Sequence, residues 1–224
     1  MHSVRIWFSK TGREKYISHL DMYRGFLKAV RRARIPLWYT EGFNTHPYIT
    51  FALPLPIMQE SEREAVDIRI EGDMTNEEVK EKLSAVMTPG IKILDVCLPF
   101  NDAKEIMYAE YSVEAEFEDE QTAQSFYYSA AEILKQEELF AEKTGKKGRK
   151  KVIKQVNIIP MIFKKDLEIK RNKVCCDFIL SAGNEKNLNP TLLMETVSKE
   201  LEIYPVSENI VRKKLLIKDF EEFI

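Results

Sequence analysis

The sequence predicts an α+β fold made of two ferredoxin-like (βαββαβ) halves in tandem. Three observations carry this reading. Apolar residues recur every second position in some segments and at helical spacing in others. These segments follow the order strand–helix–strand–strand–helix–strand twice, with one extra hairpin in the second pass. Gly, Pro and Asn mark the joins between them. The duplication is one of element order, and no residue-level repeat accompanies it. The expected division is a first half over 1–98, a linker over 99–110 and a second half over 111–224.

Val4–Ser9 alternates as a strand, with Val4, Ile6 and Phe8 on one face and Arg5 and Trp7 on the other. Thr11-Gly12 turns the chain. Ser18 has the character of a helix N-cap, with Asp21 three residues on as a capping-box variant. Leu20, Tyr23, Leu27 and Val30 follow at helical spacing, which predicts an amphipathic helix over 19–33. Pro36 lies just beyond its end. Short strands are expected at 37–41 and 48–53, the second beside strand 4–9, with a loop at 42–47 between them. A strand at 65–71, a helix at 75–87 with Thr75 and Glu78 as a second capping box, and a strand at 91–98 complete the half.

In the second half, 111–117 alternates as a strand and 120–136 is helical. Two strand-like segments then flank a Lys-rich loop. A hairpin turns at Arg171-Asn172. Asn189-Pro190 opens a helix to Leu201, and 210–217 is the last strand.

Composition limits the classes open to this chain. Its 224 residues suffice for one large domain or two small ones. Hydrophobic residues at 44% and charged residues at 31% are ordinary for a globular protein. No apolar run approaches the ~20 residues that span a bilayer. The N-terminal residues lack a secretory pattern and read as a strand. A cytoplasmic protein without a membrane partner is therefore expected. The three cysteines, Cys97, Cys175 and Cys176, form a poor disulfide framework. Adjacent residues of a strand point to opposite faces, so Cys175 and Cys176 are expected as apolar thiols and not as a metal pair.

The net charge of −2 hides three blocks. Residues 1–50 carry 9 basic and 3 acidic residues, net +6. Residues 51–142 carry 7 and 22, net −15, and residues 143–224 carry 18 and 11, net +7. Blocks of this size either polarise the surface toward a polyanionic partner or pair with one another.

Three constellations could carry chemistry. Ser18, His19 and Asp21 stand in the first turn of a helix, where free N–H groups suit an anion, although Ser18 and Asp21 are also sufficient as caps. The loop Glu41–Pro47 offers Asn44 and His46 as polar groups beside the aromatics Phe43, Tyr48 and Phe51. The third constellation is basic. Arg24, Lys28, Arg31 and Arg32 form a stripe on the first helix. The segment 143–154 holds Lys146, Lys147, Arg149, Lys150 and Lys151 among its seven cations, with no acid. Such a loop can contact phosphates without regard to base sequence.

The motifs Lys10-Thr11-Gly12, Ser18 to Asp21, Gly42 to Pro47, Phe51 to Pro56 and Glu60-Ser61-Glu62 resemble those of the radical-SAM-linked protein family, a domain of unknown function. They cover about the first quarter of the chain. Two positions depart from that pattern: Thr45 stands where the family usually has Pro, and Met58 where it has Gly. The resemblance implies a radical SAM protein as partner, with the iron–sulfur cluster and S-adenosylmethionine carried by that partner. It implies no cofactor bound by this chain, whose cysteines lack the close spacing of a cluster ligand set.

Two function classes follow. The leading one is an accessory protein that binds RNA, either tRNA or rRNA, for modification or processing. The alternative is an enzyme of RNA cleavage or hydrolysis. In it His19 and His46 would share proton transfer, with Asp21 orienting one of them. A metal-assisted variant would use His19, Asp21 and His46 as three ligands. This alternative resembles, in fold order only, the RNA-processing ferredoxin-like proteins of CRISPR systems.

Overall fold

The computed structural model describes residues 1–147, 150–183 and 186–224, and excludes the side chains of residues 144–152. The class is α+β, with four α-helices among the described residues. The chain forms two compact units. The first comprises Met1–Ile106 and Val211–Ile224, and the second Met107–Ile210. Residues 99–106, expected as linker, and Val211–Ile224, expected in the second half, thus belong to the first unit.

The first unit opens with β1 (His2–Lys10) and α1 (His19–Arg32), followed by β2 (Ile49–Phe51), β3 (Gln59–Ile70), α2 (Asn76–Ser84) and β4 (Ile91–Cys97). β1 is central and antiparallel to both β3 and β4, with Ile6 opposite Val66 on one side and Val96 on the other. β2 pairs with β3, Ile49 opposite Ile68. This corrects the expected pairing of strand 48–53 with strand 4–9. The short connection after β2 folds β3 back on it as an antiparallel neighbour, and β3 then separates β2 from β1. The strand expected at 37–41 reduces to two isolated bridges, Leu37 to Ile70 and Tyr39 to Pro47.

Helix α1 begins where the capping residues predict. Ser18 is extended, and its Oγ accepts from the Asp21 amide at 3.2 Å. Its buried face is Met22, Phe26, Ala29 and Val30; of the expected stripe Val30 belongs to it, and Tyr23 and Leu27 pack half-buried against the same core. Leu20 is 55% exposed. Two apolar stripes compete on this helix. The sheet selects the one bearing Phe26, whose ring meets Phe8 at 4.8 Å and Phe51 at 5.4 Å. With Val4, Ile6, Val66, Ile68, Val79 and Leu83 they form the core.

Arg5 and Trp7, on the other face of β1, are also buried, at 1% and 3% exposed. Arg5 makes a bidentate pair with Asp67, both distances 2.8 Å, and donates to the carbonyls of Asn101 and Ile224. Its guanidinium lies 4.3 Å from the Phe223 ring. A charge can be buried here because its donors are matched one by one.

The second unit holds β5 (Tyr108–Glu116), α3 (Glu120–Ile133), β6 (Phe140–Lys147), β7 (Lys150–Asn157), β8 (Ile162–Lys170), β9 (Lys173–Ser181), α4 (Pro190–Leu201) and the start of β10 (Ser207–Leu216). β9 lies between β5 and β8, antiparallel to both. β6 and β7 form a separate hairpin, with Lys143 opposite Lys154 in the backbone register. The segment 143–154, expected as a loop, is therefore mostly strand. Arg149 lies outside the described residues, as do the side chains of Lys146, Lys147, Lys150 and Lys151. The Asn189 side chain caps α4, with Pro190 at its first position.

Candidate functional site

His19 is the first residue of α1, and its ring stands edge-on to Phe51 at 5.2 Å. Around it, Phe8, Lys10, Met22, Leu55 and Glu64 close a cavity of about 10 Å³. That volume admits about one water. Residues from four of the sequence motifs gather in this region. Lys10 lies opposite Ser61 in the register of β1 and β3. Lys10 Nζ donates to the Ile17 carbonyl at 2.9 Å. The Met58 amide donates to the Lys15 carbonyl at 2.7 Å.

The chemistry of this cluster is that of buried charge. Lys10 and Glu64 are each 2% exposed and Arg212 is 1% exposed. Glu64 accepts from Arg212 twice, at 2.7 and 2.6 Å, and Arg212 also donates to the Leu53 carbonyl at 2.9 Å. Burial pushes the Lys10 ammonium below its ordinary value; Glu64 opposes the shift and Arg212 adds to it. Burial likewise holds the His19 imidazole below its usual value, aided by Lys10 and opposed by Glu64. Both effects disfavour the protonated form of the His19 imidazole. Sequence reasoning missed Lys10, Glu64 and Arg212 as one network. Lys10 and Glu64 lie just outside the strands expected from alternation, and nothing local to any of the three marks a distant buried partner.

His46 is engaged elsewhere. Its Nδ1 is 3.0 Å from Thr40 Oγ1 and 3.0 Å from the Asn44 carbonyl. The Thr40 amide donates to the His46 carbonyl at 2.9 Å. His46 thereby closes its own exposed loop. No hydrogen bond, ring contact or cavity joins it to His19 among the described residues. Of the expected pocket residues, Phe51 lines the His19 cavity and Ser18 caps α1. Phe43 is fully exposed, and Tyr48 lies beneath the Arg69 guanidinium at 4.4 Å. The three-ligand metal variant fails, because no group of three or more His, Cys, Asp or Glu side chains able to hold a metal forms among the described residues.

A larger site lies on the other flank of α1. A groove of about 410 Å³ runs between α1 and the segment joining α2 to β4. Its walls are apolar, from Met22, Phe26 and Ala29 on one side and Val86, Met87 and Ile91 on the other. Lys28, Arg31 and Arg32 line it as well, with Asp21 as its acid. Arg32 donates to the Val86 carbonyl at 2.9 Å, and Arg31 reaches the Tyr39 hydroxyl at 3.5 Å. Lys28 has no hydrogen-bond or ion-pair partner among the described residues. Arg24 turns away to Asp21, 3.5 Å distant and exposed.

Of the three cysteines Cys176 is buried in the core, whereas Cys97 and Cys175 are half-buried. Burial pushes the Cys176 thiol up to about 12, and burial followed by Glu114 raises Cys175. Cys97 Sγ accepts from the Trp7 indole at 3.3 Å.

Among solved structures, a chain from the crystal structure of a Cbf5-Nop10-Gar1 complex matches with 9% identity and a TM-score of 0.47. The match covers 96% of this chain and 50% of that one, so this chain spans about half its length. An unknown protein from Galdieria sulphuraria matches with 9% identity and a TM-score of 0.26, over 94% of this chain and 98% of that one. Both scores are too low to carry an inference. No curated protein matches. A family profile described as an uncharacterized protein conserved in bacteria (DUF2344) matches residues 3–190. The chain belongs to this bacterial family, DUF2344.

Proposed function

We propose that this protein is a non-catalytic accessory of a radical SAM enzyme and holds RNA, tRNA or rRNA, for modification or processing. The observation that carries the RNA part is the exposed face of α1. There Lys28, Arg31 and Arg32 line one groove with a single acid, Asp21, which is already held by Ser18 at 2.7 Å. Cations gathered without matching acids favour a polyanion. The lysines of the β6–β7 hairpin add to the same tendency. The partner enzyme is suggested by the motifs from Lys10 to Glu62, and the cluster and S-adenosylmethionine are assigned to that partner.

On the same reading the two units are ferredoxin-like halves. In the first, β1 stands between β3 and β4 with β2 outside β3, which supports a βαββαβ unit. In the second, β9 stands between β5 and β8, the place that β3 has between β1 and β2 in the first. The enzyme alternative with His19 and His46 has less support, because each histidine is occupied in its own surroundings.

The test is co-purification with a radical SAM protein followed by sequencing of RNA that survives a moderate salt wash. Specific RNA, reduced by Lys28→Gln with Arg31→Gln, supports the proposal. A stable protein pair without RNA overturns the RNA part, and no pair overturns the partner.

A further inference from the structure

We propose that the groove beside α1 receives one unpaired nucleotide of a bound RNA, the base entering the apolar cleft and the neighbouring phosphates meeting Lys28 and Arg31. This rests on the RNA reading above and adds the form of RNA that is bound.

The first argument is Gly25. It lies in the middle of α1 and lines the groove. A glycine there weakens a helix relative to alanine. Its backbone is helical, and a Cβ added to it would meet nothing within 4 Å. Neither backbone conformation nor packing inside the protein therefore requires glycine. A ligand lying close against the helix backbone does.

The second argument is the match of shape and charge. A volume of about 410 Å³ falls within the range of small-molecule sites. The cleft wall includes the adaptable Met22 and Met87, with the fully buried Phe26 ring beneath it. A base can lie flat on an apolar surface whatever its identity, because every base has an apolar π-face. The cations stand beside the apolar cleft, which suits a flat ring flanked by phosphates. A paired base is stacked within a duplex and cannot enter, so single strands should be preferred.

Fluorescence anisotropy with the full chain tests this, using a labelled single-stranded RNA of about a dozen nucleotides and its duplex. The single strand should bind more tightly. Gly25→Leu and Gly25→Met fill the groove and should each weaken it about tenfold or more, with the salt slope unchanged. Gly25→Ala places only a Cβ against the ligand and should weaken binding by a smaller factor than the two filled variants, again with the salt slope unchanged. Lys28→Gln with Arg31→Gln should instead flatten the salt slope by about 0.7 per cation. Melting curves for the Gly25 variants at or above the wild-type temperature establish that they are folded. Wild-type affinity in both filled variants overturns the inference and leaves the RNA reading standing. No binding of either RNA by the wild-type chain overturns both.

Discussion

Arg212 and Glu64, 148 residues apart in sequence, form a bidentate ion pair at 2.7 and 2.6 Å with both side chains almost fully buried. It ties β10 to β3 within the first unit. Arg212→Met should cost about 3–5 kcal/mol, since it strands a buried carboxylate. Adding Glu64→Leu should recover most of that loss. The remainder reflects the Leu53 carbonyl, which loses its donor. Denaturant melts of the two single variants and the double variant measure the coupling, and additive losses would refute it.

Met58 holds a φ of +70° in the connection from β2 to β3. This is the left-handed region that disfavours a side chain. The side chain is 55% exposed, so little packing depends on it. Met58→Gly should stabilise the protein by up to about 1 kcal/mol, and Met58→Val should destabilise it. Thermal melts check both, and a lower melting temperature for the glycine variant contradicts the strain argument.

Two glycines should respond to alanine in opposite directions. At Gly90 an added Cβ would press on the Glu14 carboxyl and on the Thr11 carbonyl oxygen at 2.5 Å. The carboxyl can swing aside. The backbone oxygen is fixed, because the Thr11 amide donates to the Gly90 carbonyl at 2.9 Å. Gly90→Ala should cost about 1–3 kcal/mol. Gly25→Ala should gain about 0.5–1 kcal/mol from helix propensity. Equal shifts in the two melts would contradict the packing described at Gly90.

The His19 imidazole is held below its ordinary value of 6.5, chiefly by burial. As pH falls below 6.5, the unfolded chain binds a proton that the folded chain still refuses. His19 therefore lowers stability as pH falls through this window, and its effect is absent above it. The stability of wild type relative to His19→Gln should decline with acidification from 6.5, and be constant at higher pH. Parallel stability curves across that window would rule out a depressed histidine.

The amino-acid sequence by itself determined the local elements. Alternation marked β1, β3 and β5, and the side chains of Ser18, Thr75 and Asn189 marked three helix starts, because a cap acts within one turn of chain. The same locality explains its failures. Periodicity on α1 offered two apolar stripes, and only contact with Phe8 and Phe51 selected the one containing Phe26. Alternation in β1 put Arg5 on the face opposite Ile6 but carried no sign of its burial, and Glu64 was not singled out; Asp67 and Arg212 are the partners that allow the two to be buried. The motif residues Lys10, His19 and Phe51 were legible one by one, but His46 had equal standing with them until its loop closed on Thr40. Burial of a charge depends on partners that topology brings from far along the chain, and no local rule of spacing contains that information.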